Sequence, residues 1–249
     1  PGWHTVCVVM SEKNLGVPFD IHCGGIDHIA IHHTNEIAQS EAAFGKNLAR
    51  FWLHGEFLIL DKGKMAKSEG NIILVKTLIE KGFNSLAYRY LCLTTHYRKK
   101  LNFSWQALKA AQNALNNLYQ KMNELKSVKN LAENSSLPIG KYQKRFLDFI
   151  NNDLDTPKAL ALMWEVIKDE KIKIKDKKEL LLDYDKVLGL NLTGIKKLKI
   201  PQEIIKLVKD RESYRKNGLW QKADEIRKKI KEMGYWVEDT KERPKIKKI

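Results

Sequence analysis

Apolar positions recur at intervals of three and four along most of this chain, and in short runs only near its front. Val6, Val9 and Met10 share one face of a helix predicted over residues 1–15, which Gly16-Val17-Pro18 ends. Phe19 to His22 reads as a short buried strand, and Cys23-Gly24-Gly25 as a turn permitting close backbone approach. A second helix is expected from His32 to Phe44, built from good helix formers and stopped by Gly45. Phe51 to His54 and Glu56 to Leu60 read as strands around Gly55, and Asp61-Lys62-Gly63 turns the chain into a lysine-rich loop.

From Leu74 onward the pattern is helical, over Thr77 to Lys81, Ser85 to Thr95 and Trp105 to Leu125, where Leu108, Ala111, Leu115 and Leu118 mark one face. After a polar break, helices are predicted over Tyr142 to Asn151, Pro157 to Asp169 and Lys178 to Leu188; Asp155-Thr156 and a first-turn proline open the second, and Gly189 stops the third. A second break precedes helices over Gln202 to Lys216 and Leu219 to Met233, then a strand and turn over 234–240 and a basic, mobile tail over 241–249. Strand, turn and helix giving way to helices alone predicts the rear portion of an α/β, Rossmann-like nucleotide-binding domain, then an α-helical bundle and a small mixed unit, mostly α overall. The expected boundaries are 1–50, 51–105, 106–195 and 196–249.

Composition sharpens this division. The chain has 249 residues, enough for more than one folding unit, and of its net charge of +15 residues 1–105 carry +3 and residues 106–249 carry +12. That asymmetry points to a polyanion partner behind. All seven histidines and all three cysteines fall within residues 1–96, which confines metal and acid–base chemistry to the front. An odd set of cysteines fits a reducing compartment. No apolar run approaches the roughly 20 residues of a membrane span, and the start lacks a signal-peptide pattern, so a cytoplasmic protein without a membrane partner is expected. The chain starts at Pro1, inside a motif, and is read as a piece.

If residues 32–44 are helical, His32 and Glu36 lie one turn apart on one face. With Cys7 upstream, they offer an imidazole, a carboxylate and a thiolate, the ligand types zinc takes, and leave a fourth position for another residue or a substrate.

Several motifs then fall in order: Gly2-Trp3-His4, Gly24-Gly25-Ile26-Asp27, His32-His33-Thr34-Asn35-Glu36-Ile37-Ala38-Gln39, Lys64-Met65-Ala66-Lys67-Ser68, Asn152-Asp153-Leu154-Asp155-Thr156-Pro157 and Ala223-Asp224-Glu225-Ile226-Arg227. Together they resemble the cysteinyl-tRNA synthetases, a family of class I aminoacyl-tRNA synthetases, through most of the chain. The resemblance implies ATP-dependent activation of cysteine to cysteinyl-adenylate and transfer to cysteine tRNA, with magnesium accompanying ATP as substrate.

It also implies site residues. One zinc ion would be held by Cys7, His32 and Glu36, three of the family's four ligands. The fourth belongs to a front half that also carries a His-Ile-Gly-His motif and is not found here, so the fragment is expected to be inactive alone. Zinc explains selectivity: cysteine and serine nearly share a shape, whereas only cysteine supplies a thiolate. Lys64 and Lys67 are the catalytic lysines, Lys67 the one contacting ATP. Ala66 departs from the family's serine, losing one hydrogen bond of about 0.5–1.5 kcal/mol while both charges remain. Gly25 and Asp27 bind the nucleoside, Trp3 and His4 wall the amino-acid pocket, and His33 and Asn35 lie behind the metal ligands. Cys23 stands where many members have glycine and is assigned to the nucleotide turn, not to the metal. The basic rear becomes an anticodon-binding unit with Tyr214, Trp220, Tyr235 and Trp236 among Arg211, Arg215, Arg227 and Arg243, although helical periodicity places several of these aromatics in the core.

Two other readings stand beside this one. A ligase joining cysteine to an amino sugar shares the front chemistry, but residues 196–240 argue against it. A noncatalytic, metal-stabilised RNA-binding module is the alternative from another class.

Overall fold

The computed structural model describes residues 2–60, 73–127, 139–195, 201–239 and 244–248. The chain divides into two compact units, residues 1–195 and 196–249.

The first unit opens with helix α1 (Trp3–Leu15), closed by Gly16 at a φ of 73°. Strand β1 (Phe19–Gly25), a 3-10 turn (Ile26–His28), a π-helical turn (Ile29–His33), helix α2 (Thr34–Phe44) and strand β2 (Ala49–Gly55) follow. The two strands are parallel, with Phe19 beside Ala49 and Gly25 beside Gly55, so this is a β–α–β unit. Val8 of α1 packs on Phe19, Leu48 and Ala49 to make a small core with Val17 and Trp52.

Two expectations change here. Residues 23–25 are not a turn: Cys23, Gly24 and Gly25 continue the ladder opposite Leu53, His54 and Gly55, because pairing with β2 satisfies their backbone groups. The helix does not begin at His32. His32 and His33 close a π-helical turn, and α2 starts at Thr34, whose hydroxyl donates to the Ile29 carbonyl at 2.6 Å.

Strand β3 (Leu58–Leu60) pairs in parallel with β4 (Leu101–Phe103), and helices α3 (Val75–Glu80) and α4 (Ser85–Leu93) lie between them in sequence. The predicted lysine loop, with Lys64 and Lys67, lies outside the described residues. Helices α5 (Trp105–Ser127), α6 (Ile139–Asn151), α7 (Thr156–Lys168) and α8 (Ile174–Leu188) form the bundle. Its core includes Leu108, Leu115, Leu118, Met122, Leu162, Met163, Leu180 and Tyr184. The Asp155 side chain accepts from the Lys158 amide at the start of α7, ahead of the first-turn Pro157, as the sequence predicts. Helix α8 starts four residues before the expected Lys178, with the largely buried Asp176 in its first turn, and ends at Gly189 with a φ of 63°.

The second unit pairs helices α9 (Gln202–Lys216) and α10 (Trp220–Glu232) with strands β5 (Tyr235–Glu238) and β6 (Lys245–Lys248). Ile204, Val208, Ile230 and Val237 form its core. The tail expected to be mobile contains β6, antiparallel to β5, because Ile246 sits opposite Val237 and packs on that core. No helix among the described residues is long and apolar enough to cross a membrane.

Candidate active site

Three elements of the front unit converge on one carboxylate. Helix α1 offers Cys7, the π-helical turn offers His32, and the first turn of α2 offers Glu36; their ligating atoms all lie within 4.8 Å of one another. Glu36 is fully buried. Its Oε2 lies 2.7 Å from His22 Nε2 and 4.0 Å from His33 Nε2. Its Oε1 lies 3.1 Å from His32 Nε2 but outside hydrogen-bonding geometry, and has no hydrogen-bond partner among the described residues. Burial, and then the nearby Glu36 carboxylate, hold the Cys7 thiol above its ordinary pKa. A buried carboxylate with an unsatisfied oxygen, grouped with a thiol and an imidazole, is a donor set that a divalent cation completes, since the cation satisfies the carboxylate and reverses the penalty on the thiolate.

A histidine cluster surrounds this group. His22 and Gly24 share one face of β1, beside Trp52 and His54 of β2, and the π-helical turn lays His33 over that face. Gly24 is needed for the approach: a Cβ there would stand 2.5 Å from His33 Cε1 and 2.6 Å from His28 Nδ1. His33 Nδ1 pairs with His54 Nε2 at 2.8 Å. Burial, followed by the repulsion of four neighbouring histidines, lowers the His33 pKa to about 4, so its ring is neutral near pH 7. Sequence reasoning missed His22, His28 and His54. The readable signal was period two, His22-x-Gly24 against Trp52-x-His54, two strand segments that each bring a histidine to the same face.

The other candidates take the following places. The Trp3 ring, mostly exposed, lies 4.4 Å from that of His32, and the His4 ring lies 6.2 Å from it, so both stand at the mouth of the group. Gly25 ends β1, and the exposed Asp27 folds its carboxylate against the Gly25 backbone. Asn35 is half-buried beside Glu36. Cys23 is exposed, and strand alternation directs it away from the His22 and Gly24 face. Cys92 is half-buried in α4, where burial raises its pKa.

In the second unit Arg211 is buried and grips Asp239 through two bonds of 2.8 and 2.9 Å. Trp220 is 60% exposed with Arg215 beside its ring, and Lys222 stands over Tyr214. Tyr235 packs against the core and Trp236 is covered by Arg227, whereas Arg243 lies outside the described residues.

Comparison with known proteins connects these features. Residues 1–113 match the model of the class I (C) tRNA synthetase catalytic domain, and residues 199–245 match that of the cysteinyl-tRNA ligase anticodon binding domain. The chain belongs to the cysteinyl-tRNA ligase family. It is 42% identical to cysteine–tRNA ligase 1 of Burkholderia lata, an alignment covering 97% of this chain and 50% of that protein. With the cysteine–tRNA ligase of Treponema denticola the identity is 40%, over 100% of this chain and 56% of the relative. The chain therefore spans about half the length of these family members. A LeuRS–tRNA–LeuAMS complex from Agrobacterium radiobacter K84 superposes with a TM-score of 0.54 at 16% identity, over 72% of this chain and 27% of that one, a likeness of fold.

Proposed function

We propose that this chain carries the metal-binding and tRNA-binding parts of a cysteine–tRNA ligase, which activates cysteine with ATP and transfers it to cysteine tRNA. The observation behind this reading is the fully buried Glu36, which has an unsatisfied oxygen and ligating atoms of Cys7 and His32 within 4.8 Å of its carboxylate. Cys7, His32 and Glu36 would hold a zinc ion, which when bound selects a thiol over a hydroxyl by coordinating the thiolate. Trp3 and His4 wall the substrate side of His32. Gly25 lets a nucleoside approach the backbone, and Asp27 turns to accept from its ribose hydroxyls. Lys64 and Lys67 bring positive charge to the triphosphate of magnesium-bound ATP as the amino acid's carboxylate attacks the α-phosphate and pyrophosphate leaves. In the second unit the exposed Trp220, flanked by Arg215, offers an anticodon base a stacking surface beside phosphate-binding charge. A reducing cytoplasm keeps Cys7 available as a ligand.

The test joins this chain to the remaining half of a relative and measures cysteine-dependent exchange of pyrophosphate into ATP. Exchange is expected, lost on Cys7→Ser and reduced about a hundredfold on Lys67→Ala. An intact, folded hybrid with no exchange would remove the ligase reading.

A further inference from the structure

Glu36 has two oxygens with different surroundings. Oε1 lies 3.1 Å from His32 Nε2 and lacks a hydrogen-bond partner among the described residues, while Oε2 lies 2.7 Å from His22 Nε2. A carboxylate can only accept hydrogen bonds, so in this pair the His22 Nε2 carries the proton and donates. His22 comes from β1, an element that supplies no member of the Cys7, His32 and Glu36 group, and its ring is fixed edge-on against Phe19 and Trp52. The Glu36 side chain is thus held at one oxygen by a ring set edge-on against two neighbours, leaving the other oxygen toward the His32 imidazole, with Cys7 in the same group of donors.

We infer that His22 is a positioning residue for the metal: its Nε2–H holds Glu36 Oε2 so that Oε1 is presented to the ion beside Cys7 and His32. This rests on the metal reading above and adds to it the residue that sets the carboxylate's orientation. Groups that hydrogen-bond a ligating side chain typically contribute 10- to 100-fold to metal affinity without touching the metal. His22, His33 and Glu36 also have donor atoms within 4.8 Å of one another, so the competing possibility is that His22 is itself a ligand of a second ion.

The experiment measures zinc stoichiometry and affinity of the whole chain by competition with a chelator, and the ligand-field bands of the cobalt(II) form. Wild type is expected to bind one equivalent. His22→Ala should weaken zinc binding about 10- to 100-fold and shift the cobalt bands, because the carboxylate is free to rotate. His22→Gln, whose amide N–H takes the place of Nε2–H, should restore affinity to within about threefold and return the bands. A variant that merely loosened the fold would bind less cobalt without moving its bands. Wild-type affinity in His22→Ala, equal weakening by alanine and glutamine, unmoved bands, or a second equivalent of zinc lost with His22 would each overturn the assignment while leaving the metal reading standing. Failure of wild type to bind zinc would overturn both.

Discussion

Glu36→Gln separates a carboxylate kept for a cation from one kept for the fold. In the metal-free chain the substitution retains the shape and a carbonyl oxygen for the His22 N–H, and removes a buried charge whose Oε1 is unsatisfied. The amide NH2 takes the place of Oε1, so a neutral unmade group replaces a charged one, a relief of about 1–3 kcal/mol, while exchanging a charge-assisted bond for a neutral one gives back about 1 kcal/mol. The variant should therefore be as stable as wild type, or up to about 2 kcal/mol more so, when zinc is chelated. With free zinc at a hundred times its dissociation constant, wild type gains about 2.7 kcal/mol by linkage, and the variant, lacking a ligand, gains almost nothing. Amide hydrogen exchange across β1 and α2 during a urea titration, with chelator and with zinc, reads this region apart from the bundle and the second unit. A variant destabilised by more than about 1 kcal/mol in chelator that keeps the full zinc-dependent gain would refute the reasoning, because Glu36 would then be a structural hydrogen-bonding group.

Three further outcomes are expected. Asp239→Asn leaves the buried Arg211 without its bidentate carboxylate and should destabilise the second unit by about 2 kcal/mol, less than a fully buried pair because Asp239 is 41% exposed. The Arg211 bond holds the Asp239 pKa below its ordinary value, so this contribution is complete above the usual carboxylate range and disappears as pH falls through the depressed folded-state pKa; acid unfolding monitored by exchange in α9 and β5 should show that loss in wild type and not in the variant. Leu115→Ala removes a side chain with no solvent exposure from the bundle and should lower its stability by about 2–5 kcal/mol in urea unfolding, whereas a loss under 1 kcal/mol would mean the site collapses around the gap. Trp220→Ala should leave the melting temperature unchanged, because that ring is 60% exposed, and weaken binding to cysteine tRNA about 5- to 150-fold at fixed salt, with unchanged binding ruling out a stacking role.

The helices were legible because their apolar faces carry the packing. Leu108, Ala111, Leu115 and Leu118 recur at three and four, and all are buried. Asp155 with Pro157 announces the start of α7 through local chemistry alone, and Gly16, Gly45 and Gly189 mark helix ends with positive φ values that other residues rarely adopt. What stayed hidden depended on distant pairing. Strand β6 carries one apolar anchor, Ile246, in a lysine run, and nothing in the run itself says that Val237 waits opposite. Cys23-Gly24-Gly25 has turn composition, yet β2 gives those residues ladder partners, and the reason for glycine at 24 lies in the His33 and His28 rings pressed against it.

The site divides along the same line. His32 and Glu36 were readable because one helical turn separates them, and Cys7 was joined to them by its ligand chemistry and by the resemblance; the structure places ligating atoms of the three within 4.8 Å of one another. His22 and His54 stand on two strands, and their side chains reach one face only once the register sets Gly24 beside His54 and His22 beside Trp52. A slip of one strand by one residue would put the two histidines on opposite faces. Donor Oε1 of Glu36 therefore owes its position to sheet register as much as to helix geometry, through the ring that β1 holds 2.7 Å from Oε2. Substitutions that disturb the register, such as a β-bulge introduced at Trp52, should then loosen metal binding without altering any of the three donors.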